Sequence, residues 1–203
     1  MSLVLGIVFT NRVMIISDGR VTNAKTNLIV DEKFDKTRKI NDNVILGFSG
    51  ETEFSLWLLG QFDNICNKEI FRLKADHVAD IICKIAQEGV NFRKNLGQCI
   101  STHFQMIVAG KTSKGIMALY NFGVPSNFEI KEYIPTENNF VYSVLFPDAK
   151  GFDYSLEKIM TDYPNKGLDE YINLLFINAA NIDDSINTNL FIKEIELREN
   201  CLR

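Results

Sequence analysis

The residues able to do chemistry sit at the front of the chain. Residue 2 is a serine directly behind Met1, and Asp18 closes the second of two apolar runs. The first run, Val4-Leu5-Gly6-Ile7-Val8-Phe9, reads as a strand covered on both faces. Thr10-Asn11-Arg12 is polar and turn-prone, and Val13-Met14-Ile15-Ile16 is again apolar and β-branched. A hairpin of this kind returns Asp18 to the neighbourhood of Ser2. Removal of Met1 is favoured when the next residue is small. Ser2 would then offer a hydroxyl nucleophile and, in the same residue, an amine of pKa ~7.7–8.0 able to take its proton at neutral pH.

Other elements must bring the remaining groups to that end. Lys33 and Lys36 lie in a charge-dense connection, after a short strand at Leu28-Ile29-Val30. Thr37-Arg38-Lys39-Ile40 and Val44-Ile45-Leu46-Gly47-Phe48 read as a hairpin around Asn41-Asp42-Asn43. Ser49 or Gly50 then opens a helix, with Glu51 and Glu53 in its first turn. Phe54, Trp57, Leu58, Phe62 and Ile65 form its apolar face. Asp76 is the expected N-cap of a second helix with Val78, Ile81, Ile82, Ile85 and Ala86 inward. Strands follow at 104–109, 115–120, 127–134 and 140–144, a helix at 152–160, a helix at 168–181 and a last strand at 190–197. Periodicity gives an α+β chain, and the length of 203 residues suits one domain over residues 1–203.

Bulk composition excludes several classes. A net charge of -4 argues against a nucleic-acid surface. No apolar run approaches the ~18–20 residues of a membrane span. The short N-terminal apolar run lacks a basic lead and is no signal peptide, so a cytoplasmic protein is expected. Cys66, Cys83, Cys99 and Cys201 lack CxxC spacing and read as reduced thiols rather than a disulfide framework or zinc site. Gly110-Lys111-Thr112 echoes the end of a phosphate loop, but strands flank it on both sides. His77 and His103 are the only histidines, and neither carries a triad signature.

The stretches Ser2 to Phe9, Ser17-Asp18-Gly19-Arg20, Lys33 to Ile40 and Val44 to Gly50 together resemble a proteasome β-type subunit or its bacterial HslV-like relatives. These belong to the N-terminal nucleophile hydrolases. The resemblance implies a four-layer αββα sandwich. It implies a threonine-type endopeptidase with Ser2 in the nucleophile's place. Asp18 and Lys36 would stand beside it, and the Gly50 N–H would donate to the oxyanion. Lys36 fits the family register better than Lys33. Arg20 would brace the turn. Asp183 matches the family's second Asp, and oxygens of Ile182, Ser185 and Thr188 match those holding a Na+ or K+ ion in HslV-like relatives. No other cofactor is expected. The implied partners are a peptide or unfolded-protein substrate, copies of the chain in a homo-oligomeric ring, and an ATPase unfoldase for folded substrates. The family's Gly-Ser-Gly turn before the third helix is missing, and Ser143 is the hydroxyl nearest its place. The alternative is a non-catalytic proteasome-like protein that keeps the fold for assembly or binding.

Overall fold

The computed structural model describes residues 2–23, 26–98, 103–137, 139–146 and 155–197. Met1, Cys99, Cys201 and the Pro147, Gly151 and Phe152 flank of the third helix lie outside the described residues.

The opening apolar runs pair as an antiparallel hairpin, β1 (Val4–Val8) and β2 (Arg12–Asp18), in a register that sets Val4 opposite Ser17. Two further strands complete this sheet. β10 (Val141–Leu145) flanks β1, and β11 (Leu190–Glu196) flanks β2. The second sheet runs in the order β5 (Thr37–Asn41), β6 (Val44–Ser49), β7 (Gln105–Lys111), β8 (Met117–Gly123), β9 (Lys131–Tyr133). A small ribbon, β3 (Val21–Thr22) with β4 (Ile29–Asp31), projects Leu28, Ile29 and Val30 into solvent. The helices are α1 (Thr52–Cys66), α2 (Ala75–Asn95), α3 (Leu156–Asp162) and α4 (Leu168–Ile182).

Three apolar layers follow from strand alternation. Val4, Val8, Val13 and Ile15 meet Ile45, Ile107 and Leu119 between the sheets. The opposite faces of β1 and β2, with Leu5, Ile7, Met14 and Ile16, pack on Leu175, Phe176 and Ala179 of α4. The outer face of the second sheet, with Leu46, Phe48 and Val108, packs on Phe54, Phe62 and Ile82 of α1 and α2. The chain is a four-layer αββα sandwich. Gly6 permits the sheets to approach: a Cβ there would lie 2.4 Å from Leu119 Cδ1.

Local details differ from the periodicity. Ile65 and Trp57 of α1 are 64% and 41% exposed, while Ser55, Leu59 and Cys66 turn inward. The buried face follows where α2 lies. Lys74, not Asp76, is the N-cap of α2. Asp76 instead accepts hydrogen bonds from the Ser113 amide and hydroxyl. The predicted strand at 127–134 is cut to three residues, because a 3-10 turn at Val124–Ser126 and a left-handed Asn127 precede it.

Candidate active site

The hairpin closes beyond its last ladder pair. The Asp18 amide donates to the Leu3 carbonyl at 3.2 Å, and the Leu3 amide donates to Asp18 Oδ1 at 2.8 Å. Asp18 is therefore tied to the residue next to Ser2. Lys36 enters at the head of β5, where its carbonyl accepts from the Phe48 amide at 3.1 Å. Its Nζ donates to both Asp18 oxygens at 2.9 Å and to the Arg20 carbonyl at 2.6 Å. Asp18 is 0% and Lys36 1% exposed. Lys33 stays in solvent. Burial draws the Lys36 ammonium below its ordinary pKa, against the opposing pull of Asp18. Burial likewise raises Asp18, against Lys36 and the amides of Leu3 and Arg20. Each charge survives in the interior by means of the other.

Gly50 reaches the same end through β6. Ser49 Oγ donates to the Ser2 carbonyl at 2.9 Å. Gly50 follows with φ +101°, and α1 starts just beyond, so the positive end of a 15-residue helix lies beside Ser2. A Cβ at Gly50 would lie 2.6 Å from the His103 carbonyl oxygen. Ser2, Asp18, Lys36 and the Gly50 turn thus meet at one end of the sandwich.

The loop after α4 closes over the Gly19-Arg20 turn. Asn187 Oδ1 accepts from the Gly19 amide at 2.9 Å, and Asn187 Nδ2 donates to the Glu32 carbonyl at 2.9 Å. Arg20 Nε donates to Glu32 at 3.0 Å, and its Nη1 donates to the Asp184 carbonyl at 2.6 Å. Arg20 and Asn187 hold Glu32 below the usual carboxylate range. Asp183 accepts from the amide and hydroxyl of Ser185 at 2.8 and 2.6 Å. No hydrogen bond among the described residues joins it to Ser2, Asp18 or Lys36. Arg20 thus sets a positive charge on the Asp184 carbonyl of this loop.

Ser143 does not reach residue 2. It pairs with Gly6, and Val4 pairs with Leu145. Four residues at ~3.3 Å separate Gly6 from Ser2, roughly 13 Å along the strand. Ser143 Oγ instead accepts from Asn121 Nδ2 at 2.7 Å. It lines a cavity of about 810 Å³ that borders none of Ser2, Asp18, Lys36, Gly50 and Asp183.

The model of the proteasome subunit family matches residues 2–122. The chain belongs to the proteasome subunit family. No curated protein matches it. Among solved structures it is similar to eukaryotic HslV from Trypanosoma brucei, at 15% identity and a TM-score of 0.62, over 96% of this chain and 99% of that one. It is also similar to Anbu from Pseudomonas aeruginosa, solved as a helical assembly, at 13% identity and a TM-score of 0.72, over 96% and 81%. Anbu from Yersinia bercovieri matches at 11% identity and a TM-score of 0.67, over 96% and 81%. At such identities the likeness is one of fold. No described helix of this proteasome-family chain is long and apolar enough to cross a membrane.

The sequence reading named Ser49 only as a helix start, whereas it ends β6 and bonds the Ser2 carbonyl; it did not single out Asn187 or the Arg20 carbonyl. The Ser before Gly50 and the Asn in the Asp- and Asn-rich loop were visible as residue types. Their roles are backbone contacts between segments far apart in the chain.

Proposed function

We propose that this proteasome-family chain is an HslV-like peptidase subunit using Ser2 as an N-terminal nucleophile on peptide or unfolded-protein substrates. One observation carries the reading: a buried Lys36–Asp18 pair is bonded to the amide that follows Ser2. Once Met1 is removed, the Ser2 amine accepts the hydroxyl proton as Oγ attacks the scissile carbonyl. The Lys36 ammonium favours the developing alkoxide. The Gly50 N–H and the α1 dipole stabilise the oxyanion, a donor of the kind worth ~2.7–4 kcal/mol. The scissile C–N bond breaks, the leaving amine takes the proton, and water hydrolyses the ester left on Ser2. Apolar side chains exposed at Leu28 (68%) and Val30 (67%) support a homo-oligomer, in which copies would cover them. Folded substrates would need an ATPase unfoldase.

The placement of Ser143, opposite Gly6 and bonded to Asn121 rather than beside Ser2, favours the second reading, a non-catalytic scaffold. Intact-mass measurement on the product of the natural gene, followed by a peptide epoxyketone, separates the two. The peptidase reading expects loss of Met1 and an adduct on Ser2 that Ser2→Ala abolishes. Retained Met1 with no adduct leaves the scaffold.

A further inference from the structure

The strand β6 runs out in three consecutive residues that each meet a different part of the candidate site. The Phe48 amide donates to the Lys36 carbonyl at 3.1 Å. Ser49 Oγ donates to the Ser2 carbonyl at 2.9 Å. Gly50 then turns into α1 with φ +101°. Gly47 lets the strand come this close. A Cβ there would lie 2.7 Å from Ile15 Cγ2 and 2.9 Å from Val4 Cγ1, so a side chain would push β6 away from the opening hairpin. Ser49 stands two residues on, where strand alternation returns to the same face. Its side chain is fully buried.

A nucleophile at a chain end sets its own demand. Once Met1 is gone, residue 2 is the terminus, and termini stay poorly ordered unless they are tied down. The Ser2 amine has to remain free to take the hydroxyl proton. The carbonyl is then the one backbone group of Ser2 left for a tether, and Ser49 bonds it. The other polar group of the same peptide plane, the Leu3 amide, donates to Asp18 Oδ1 at 2.8 Å. With Ser49 on the oxygen and Asp18 on the N–H, the plane is held on both edges. The rotations left to the nucleophile lie within residue 2 itself.

We infer that Ser49 is a positioning residue whose hydroxyl sets the separation between the Ser2 nucleophile and the Gly50 oxyanion donor. The inference rests on the peptidase reading and adds a residue to it. One peptide link joins Ser49 to Gly50, so nucleophile and donor share a single support. Loss of the hydroxyl leaves the binding of a peptide untouched and slows the attack, since a displacement of ~1 Å can cost ~100-fold in rate.

The test compares Ser49→Ala with Ser55→Ala in the full chain, by the rate of peptide epoxyketone labelling at rising probe concentration. Ser55 is the structural control. It is also fully buried, and its Oγ also donates to a backbone carbonyl, that of Glu51 at 2.9 Å, but within α1. Each variant loses one hydroxyl-to-carbonyl bond, so similar falls in thermal midpoint are expected. Ser49→Ala should lower the maximal labelling rate about tenfold or more at an unchanged half-saturating concentration. Ser55→Ala should change neither. Ser49→Cys keeps a weak donor and should fall between wild type and Ser49→Ala; it carries the comparison if Ser49→Ala does not fold. Undiminished rates in the Ser49 variants, or equal losses at positions 49 and 55, overturn the positioning role and leave the peptidase reading standing. A wild type that takes no label overturns the peptidase reading, and the positioning role with it.

Discussion

All three protons of the Lys36 ammonium have oxygen partners, and both Asp18 oxygens also accept backbone amides. A pair so enclosed is costly to bury and more costly to break. Lys36→Met leaves a carboxylate without its counter-charge and should lower stability by ~3–5 kcal/mol. Asp18→Asn should cost a similar amount, and the double variant less than the sum, because the stranded charge is gone. Urea unfolding reads all three. A loss under ~1 kcal/mol for Lys36→Met would mean a solvated surface pair instead. At this scale the sequence was informative for charges. Asp18 ends an apolar run and Lys36 precedes a strand, so both positions are marked by type and order. Ser49 and Asn187 act on backbone groups 47 and 168 positions away, which local pattern does not encode.

The turn from β6 into α1 rests on Gly50. Its φ of +101° disfavours any side chain, and a Cβ would meet the His103 carbonyl at 2.6 Å. Gly50→Ala should therefore cost more than the roughly 1–2 kcal/mol of a positive φ alone, and it should abolish epoxyketone labelling of Ser2. Gly97→Ala is the control: its φ is +70° with nothing within 4 Å of the added carbon, so it carries only the backbone cost. Equal thermal midpoints for the two variants would refute the steric argument. Element types and order were legible from period and apolar runs. The helix face was less so, since a 3.6-residue period leaves the buried centre to the neighbouring helix. Trp57 lies over Gly89 of α2, where a Cβ would come 2.6 Å from the indole, and stays partly exposed. The position of Ser143 shows the limit for strands: nothing local to β10 specifies its register with β1.

Across the whole molecule, the sandwich needs the same alternating strands to face two different layers. Sequence shows that β1 and β2 are buried on both sides; only the topology says that Val4 and Val8 meet the other sheet while Leu5 and Ile7 meet α4. One polar contact also ties the sheets together. Lys193 Nζ of β11 lies 2.7 Å from Oδ2 of Asp35, two residues before β5. Burial works against the Asp35 charge, yet Lys193 and the amide and hydroxyl of Thr37 hold its pKa below the ordinary 3.8. A lowered carboxyl pKa stabilises the fold fully above the unfolded value, and that contribution is lost as pH falls through the folded one. Both side chains are about one-third exposed, so the contact is worth only ~0.5–1 kcal/mol. By urea unfolding, the wild type should lose up to that much more stability than Lys193→Met as the pH falls from neutral through the lowered carboxyl pKa. The gap should also shrink in high salt, where exposed charges are screened. Parallel acid losses in the two proteins would show that this contact contributes nothing to holding the sheets together.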